Sequence, residues 1–414
     1  MILILTSLCL IGAPLFAVIA ASAMLGYSSE DIDLMALIIE IIGLADMPFL
    51  SAIPLFTISG YLLSESNAPK RLVKLTNAIL GWMPSGLAIV SLIACAFFTA
   101  FTGASGVTII ALGAILYPAL TQAGYPDKFN LGLITTSGSL GLLFAPSLPL
   151  ILYGVVAEVS IDDLFKAGIL PGFLMISMLI IYSFRANKNL STSLNKFKPS
   201  QMMEAIKESI WEIPLPFIVL GGIYSGFFAI SEAAAVTALY VIIIEVIVLK
   251  EIKISNLPTI MRESMLLVGG ILLVLSVSLA STNYMIDSGI PERIFNIVSE
   301  VISSKYSFLA LLLLFLIILG ALLDIFSAIV LVVPILLPIA AQYQIDPIHL
   351  GIIFLATMQL GYITPPVGIN LFIASFRFEK SIIDVYSSTI PFFVILLFSV
   401  ILITFWPTLT LILL

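Results

Sequence analysis

The fold is decided by the stretch GYITPPVGIN, residues 361–370, which interrupts an otherwise apolar run from about 347 to 377. Its first eight residues contain two prolines and two glycines. Proline lacks a backbone N–H and glycine weakens a helix, so a helix ends here. A break inside a membrane helix is tolerated only against other protein or a water-filled cavity. The stretch therefore predicts that 347–377 is a broken membrane helix and that its break faces other protein or a water-filled cavity.

A counterpart lies 220 residues earlier, in the stretch GLLFAPSLPL, residues 141–150, which interrupts the apolar run 128–155. Three prolines recur at the same offset: Pro118, Pro146 and Pro171 match Pro338, Pro366 and Pro391. The alternative is coincidence among 22 prolines and 26 glycines. The common offset favours an internal repeat.

The composition places both stretches in a membrane. Of the 414 residues, 61% are hydrophobic and 10% charged, which excludes a soluble enzyme. The formal net charge of −7 excludes nucleic acid as a partner. The uncharged segment 1–26 is predicted to be a retained helix and not a signal peptide. Further apolar stretches lie at about 48–65, 84–120, 128–155, 164–185, 213–230, 231–249, 263–285, 306–341, 347–377 and 384–412.

The basic residues predict the orientation, because lysine and arginine concentrate in cytoplasmic loops. Suppose that residue 1 lies in the cytoplasm and that the segments 84–120 and 306–341 each enter and leave the membrane on the same side. Fourteen of the 17 basic residues are then cytoplasmic. The N-terminus is then cytoplasmic and the C-terminus is outside. The hydrophilic stretch 185–211 is predicted to be a linker. With the helix that follows, it forms a segment, 186–230, between a first repeat, 1–185, and a second, 231–414.

Five crossings separate the start of the first unit from the start of the second, near residue 231. Because that number is odd, the second unit is inverted relative to the first. Inverted repeats with interrupted helices are typical of secondary transporters, whose substrate and ion sites lie between the repeats. The sequence therefore predicts a carrier.

Four breaks provide candidate binding groups: 103–106, 137–139 with Pro146, 323–327 and 361–368. Half-helix ends offer carbonyls, which suit Na⁺, and N–H groups, which suit an anion. Hydroxyls that could add oxygen ligands sit at these breaks: Ser105, Thr135, Thr136, Ser137 and Thr364. The alternative for each is a hydroxyl bonded back to its own helix.

Asp324 and Asn370 are the other polar candidates. A carboxylate such as Asp324 within a long apolar run is costly and usually functional, although it can also pair structurally. The predicted spans hold no lysine or arginine in their depth. We therefore expect helix N-termini and polar side chains such as Asn370 to hold an anionic substrate.

At these residues the chain resembles the large membrane subunit, the DctM-like subunit, of the tripartite ATP-independent periplasmic (TRAP) transporters. The resemblance rests on four blocks: GASGVT at 103–108, GSLGLLFAPS at 138–147, GGIYSG at 221–226 with SEAAA at 231–235, and ITPPVGIN at 363–370. It implies an all-α polytopic protein of the bacterial inner membrane. Two inverted-topology repeats, with re-entrant hairpins at 84–120 and 306–341, would form an elevator-type carrier like those of the ion transporter superfamily.

The same resemblance implies a Na⁺-coupled importer of organic acids with two sodium sites. Gly103, Ser105, Ser137 and Gly138 would form one site, and Asp324, Gly361 and Thr364 the other. Substrate contacts are predicted at five residues: Ala104, Ser105, Thr136, Pro365 and Asn370. The pair Ala104–Ser105 departs from the family, because many members have two adjacent serines there.

The expected partners are a periplasmic substrate-binding protein and a small four-helix membrane subunit on a separate chain. No catalytic residue, cofactor or metal besides Na⁺ is expected. The family moves C4-dicarboxylates, sialic acids, sugar acids, keto acids and sulfonates. Three alternatives stay open: a dicarboxylate–Na⁺ symporter that needs no binding protein, an intramembrane enzyme and a scaffold subunit.

Overall fold

A computed structural model describes residues 13–30, 32–44, 47, 50–188, 198–302 and 304–414. The described residues form helices joined by turns and loops, without a strand. In chain order the helices are α1 Leu15–Ser29, α2 Met35–Gly43, α3 Ala52–Glu65, α4 Ala68–Leu80, α5 Gly86–Thr102, α6 Ser105–Ala111, α7 Gly113–Gln122, α8 Asp127–Ser137, α9 Leu148–Val156, α10 Ile161–Ala186, α11 Pro199–Glu208, α12 Pro214–Tyr224, α13 Ile230–Ile242, α14 Leu257–Asp287, α15 Ile290–Val301, α16 Lys305–Leu322, α17 Ile325–Gln342, α18 Pro347–Gly361, α19 Ile369–Phe378, α20 Ile382–Phe405 and α21 Thr408–Leu411. Short 3₁₀ turns lie at Leu140–Leu143 and Ile254–Asn256, and a π-helix, Ile243–Val248, continues α13.

Six of the described helices are long and apolar enough to cross a membrane, and two bent helix pairs bring the number to eight. The bent pairs are α6 with α7, at 48°, and α8 through its 3₁₀ turn with α9, at 45°. The predicted all-α polytopic fold class is confirmed. The predicted first helix is described only from residue 13, and the middle of the predicted linker, 189–197, lies outside the described residues.

The sequence missed the short and amphipathic helices. α4, α11 and α15 are amphipathic, so their mean hydropathy is too low to predict a membrane span. α2 is apolar but only 9 residues long. The last predicted stretch, 384–412, is divided, because α20 ends at Phe405 and Pro407 precedes the short α21.

The two halves share one order of elements and the same local backbone. α5, α6–α7, α8–α9 and α10 correspond to α16, α17, α18–α19 and α20. Backbone hydrogen bonds recur 220 residues apart: Gly103 N to Thr99 O and Leu323 N to Leu319 O, both 2.8 Å; Tyr125 N to Leu120 O, 3.1 Å, and Ile345 N to Ala340 O, 3.0 Å; Phe144 N to Gly141 O and Thr364 N to Gly361 O, both 3.0 Å. The internal repeat is therefore visible in the backbone as well as in the prolines.

Each broken helix touches the first helix of its own hairpin at a glycine. A Cβ atom added at Gly141 would lie 2.2 Å from the Ala96 carbonyl oxygen of α5. One added at Gly361 would lie 2.4 Å from the Gly320 Cα of α16. Only glycine allows backbones to approach this closely.

This contact predicts that Gly361→Ala lowers the thermal stability of the purified chain, because α16 and α18 must separate, at a cost of about 1–3 kcal/mol. Gly270→Ala is the matched control, since it lies inside α14 with no atom within 4 Å of an added Cβ. We expect it to raise stability by about 0.5–1 kcal/mol. Thermal unfolding in lipid nanodiscs measures both variants, and equal changes in melting temperature would refute the packing argument.

Candidate transport site

The first hairpin turns at Gly103 and Ala104, as predicted. Gly103 ends α5 with φ +65°, which glycine adopts at no steric cost, and Ala104 is extended before α6 begins at Ser105. A Cβ atom at Gly103 would lie 2.6 Å from the Leu148 side chain of α9. The turn is thus held against the start of α9, which follows the break at 137–146. That break is called the first break below, and the break at 361–368 the second.

Thr99 ties this turn to the end of α8. Its hydroxyl lies 2.7 Å from the Thr108 hydroxyl of α6 and donates to the Gly138 carbonyl at 2.8 Å. The Ser105 carbonyl oxygen lies 3.2 Å from the position of a Cβ atom on Gly138. The structure therefore brings Ser105 and Gly138 together, as predicted, around two threonines that the sequence analysis did not name.

Asp324 is the N-cap of α17. Its Oδ1 accepts from the Phe326 and Ser327 N–H groups, both at 3.0 Å, and its Oδ2 accepts from the Ser327 hydroxyl at 2.6 Å. The side chain is half-buried. These bonds, together with the positive helix N-terminus, explain how a carboxylate is tolerated inside an apolar run. They leave lone pairs on Oδ2 that can face an ion.

The second hairpin turn contacts the second break. The Ala321 carbonyl accepts from the Val367 N–H at 3.2 Å and the Gly368 N–H at 3.1 Å. The Tyr362 hydroxyl accepts from the Ile325 N–H at 2.8 Å. Asp324 therefore lies next to the 361–368 break, where Gly361 packs against α16.

Asn370 joins the two breaks. Its Oδ1 accepts from the Ser105 hydroxyl at 2.7 Å, and its Nδ2 donates to the Thr135 carbonyl at 3.2 Å. Its backbone N–H donates to the Tyr362 carbonyl at 3.1 Å. Asn370 and Thr135 are 0% exposed and Ser105 is 6% exposed. The two halves thus meet through a buried polar junction, defined here as Ser105, Thr135 and Asn370.

Three predicted hydroxyls bond back to their own helices: Thr135 to Leu131 O at 2.7 Å, Ser137 to Ile134 O at 3.3 Å and Thr364 to Leu360 O at 2.7 Å. Such a hydroxyl has used its donor but keeps oxygen lone pairs. Their role as ion ligands stays a prediction. Pro365 is exposed at the second break and Ala104 is half-buried at the first turn, so neither offers a polar side chain.

Several buried polar atoms near the breaks have no hydrogen-bond partner: Thr102 Oγ1, Thr136 Oγ1, Ser147 Oγ and both side-chain polar atoms of Gln359. Leaving such an atom unpaired costs about 1–3 kcal/mol, so an ion, water or substrate is expected to satisfy it. Thr136 was predicted, and the other three were missed. Their positions carried a signal, because Thr102 directly precedes Gly103 and Gln359 lies two residues before Gly361.

Known proteins resemble this chain over most of its length. A family model described as "Tripartite ATP-independent periplasmic transporter, DctM component" matches residues 1–409. The chain is 34% identical over 364 residues to the "C4-dicarboxylate TRAP transporter large permease protein DctM" of Pseudomonas aeruginosa, covering 87% of this chain and 85% of that protein.

Two further proteins are similar. The "Isethionate TRAP transporter permease protein DctMQ" of Oleidesulfovibrio alaskensis is 32% identical over 358 residues, which are 86% of this chain and 56% of that protein. The crystal structure of the Alcanivorax borkumensis YdaH transporter, described as having an unusual topology, aligns with a TM-score of 0.63 and 15% identity over 90% of this chain and 87% of that one. The second likeness shows a shared fold.

Proposed function

Because the chain belongs to the DctM component family of the tripartite ATP-independent periplasmic transporters, and is a large permease subunit of such a transporter, we propose that it imports organic acids by coupling to Na⁺. This family membership confirms the resemblance found in the sequence, and it sets aside the alternative of an intramembrane enzyme. The names of its relatives, which include C4-dicarboxylate and isethionate, support a small carboxylate or sulfonate as substrate.

The observation that carries the proposal is the buried polar junction between the two breaks. Ser105, Thr135 and Asn370 belong to opposite halves of the chain, yet they form one hydrogen-bonded group. Unpaired polar atoms surround the breaks. A site of this kind suits an anion held by amide and hydroxyl groups and a cation held by oxygens.

Na⁺ coupling is supported by the charge at the second hairpin turn. The Asp324 carboxylate is the negative group that a sodium ion would neutralise. Gly361, the last residue of α18, and Thr364, in the break that follows, lie beside it. A bound cation beside the substrate site favours binding of an anion, and by linkage the anion favours binding of the cation. This reciprocity is what symport requires.

An elevator movement is supported by the way the helices group. α13 packs on α3, and α14 packs on α1, α2 and α3, whereas the hairpins and broken helices pack mainly on one another and on α10 and α20. α17 also contacts α14. Beside this contact lies a cavity of about 440 Å³, whose lining includes Ser278, Thr282 and Asn283. We propose that the hairpins and broken helices, which form the inverted repeats, move together with the substrate past α1–α3, α13 and α14.

The proposed partners are a periplasmic substrate-binding protein and a separate small four-helix membrane subunit. The proposed location is the bacterial inner membrane, with the N-terminus cytoplasmic and the C-terminus periplasmic. The name DctMQ of one longer relative supports the need for a small subunit.

Reconstitution tests this proposal. In liposomes with an inward Na⁺ gradient, the chain with its small subunit and binding protein is expected to accumulate the substrate that the binding protein holds, and the chain alone is expected to transport none. If the rate of uptake by the complete system is the same with and without the Na⁺ gradient, Na⁺ coupling is refuted. Full uptake by the chain alone would establish the stand-alone symporter instead.

A further inference from the structure

A buried ionic cluster lies outside the breaks, at the end of the molecule predicted to be cytoplasmic. Arg71 of α4 contacts three glutamates, which together are called the acidic cluster. Its Nη2 lies 2.6 Å from Glu212 Oε1 and 3.4 Å from Glu245 Oε1, and its Nη1 pairs with Glu251 Oε1. Arg71 itself is 12% exposed.

The backbone forces two of these carboxylates together. Glu245 lies in the π-helix that continues α13, and such irregular turns are frequent at functional sites. Its carbonyl accepts from the Glu251 N–H at 2.9 Å and the Ile252 N–H at 3.2 Å, so the following loop folds back over it. Glu251 Oε2 also accepts from the Asn67 N–H at 2.7 Å, which fixes that carboxylate at the start of α4.

The charges of the acidic cluster do not balance. One guanidinium faces three carboxyls, and Glu245 Oε2 and Glu212 Oε2 are buried without a hydrogen-bond partner. The Glu245 side chain is 1% exposed. The neighbouring Lys74 forms ion pairs with Glu204 and Glu208, and Lys70 donates to Asn67 Oδ1. Among the described residues, Arg71 is therefore the one basic side chain paired with the acidic cluster.

An uncompensated buried charge is costly, so a carboxyl in this position takes up a cation. A metal ion is disfavoured, because no group of three acidic, histidine or cysteine side chains among the described residues is arranged to hold one. We propose that the acidic cluster binds one proton, carried by Glu245 at neutral pH. Glu251 stays ionised, because the hydrogen bonds from Arg71 and Asn67 outweigh burial and hold its pKa below the ordinary value.

The proton makes the attachment of α4 sensitive to pH. With Glu245 neutral, Arg71 pairs with Glu212 and Glu251. These pairs hold together α4, the segment before α12 and the loop after the π-helix. With Glu245 ionised, three negative charges face one positive charge and repel one another. Acidification on this side of the membrane therefore tightens the contact, and alkalinisation loosens it.

Infrared spectroscopy of the full chain in lipid nanodiscs detects the proton directly. Wild type at pH 7 is expected to show a carbonyl band of a protonated carboxyl that disappears in Glu245→Gln. Glu204→Gln is the matched control, because Glu204 is an exposed glutamate and its replacement leaves the band in place. An identical band in wild type and Glu245→Gln would overturn the proposal.

Thermal unfolding provides an independent readout. The folded chain holds one proton more than the unfolded chain at neutral pH, so stability falls as pH rises. The melting temperature of wild type is expected to drop by roughly 2–4 °C between pH 6 and pH 8.5, while Glu245→Gln removes this part of the drop. An equal pH dependence of the melting temperature in wild type and Glu245→Gln would overturn the proposal. So would a wild-type melting temperature that changes with Na⁺ at fixed pH and does not change with pH. Neither measurement depends on transport.

Discussion

Asp324→Asn is expected to raise the Na⁺ concentration for half-maximal uptake at least tenfold, which corresponds to about 1.4 kcal/mol, or to abolish uptake. Asparagine caps a helix about as well as aspartate, so the bonds to the Phe326 and Ser327 N–H groups are retained. The substitution therefore removes the charge and leaves α17 intact. Uptake by the complete system in liposomes, measured over a range of Na⁺ concentrations, is the assay.

Two further variants separate charge from capping. Asp324→Ala loses both, and we expect it to lower thermal stability by about 1 kcal/mol in addition to losing coupling. Ser327→Ala removes one hydrogen bond to Oδ2 and is expected to shift the Na⁺ dependence by about two- to fivefold. If Asp324→Asn keeps the wild-type rate and Na⁺ dependence while Asp324→Ala unfolds easily, the carboxylate is a structural cap and not part of a sodium site.

Asn370→Leu is expected to reduce kcat/KM for uptake by roughly 10- to 100-fold, because it leaves the Ser105 hydroxyl and the Thr135 carbonyl buried without their partner. Asn187→Leu is the matched control. Asn187 is also buried, but it ends α10 and its amide donates to the Ser183 carbonyl one turn earlier, so we expect uptake to stay near the wild-type level.

A double-mutant cycle tests whether the junction acts as a unit. Ser105→Ala and Asn370→Leu remove two ends of one hydrogen bond, so their combined loss in kcat/KM should be smaller than the product of the single losses. Strictly multiplicative losses would show that the two residues contribute independently. Wild-type uptake by Asn370→Leu would remove Asn370 from the transport site.

Much of the fold could be predicted from the sequence, because hydropathy and helix breakers act locally. The turns at Gly103 and Asp324 and the break that begins at Gly361 lie where glycine, proline and aspartate indicated. α4 was not predicted as a helix, because its basic residues indicated a cytoplasmic loop. The burial of Arg71 among three glutamates also could not be predicted, since its partners lie 141, 174 and 180 residues away.

The candidate site was predicted in part, for a similar reason. Residue type and position at a break identified Ser105, Asp324 and Asn370 as polar groups in apolar surroundings. The sequence could not show that Asp324 caps α17 or that Asn370 reaches Ser105 across 265 residues. Nor could it separate Thr99, which bonds across helices, from Thr135, which bonds back within its own.

The constant 220-residue offset also limits how the length of the chain can change. Between Thr99 and Pro146, several hydrogen-bonded turns and one proline have counterparts at the same offset, so the two copies have the same length over this distance. One inserted residue would rotate the rest of a helix by about 100° and advance it by about 1.5 Å. In the first copy, that shift would carry Gly141 away from Ala96. Side chains have been free to diverge here, as Ala104 opposite Asp324 shows, whereas chain length has been held fixed.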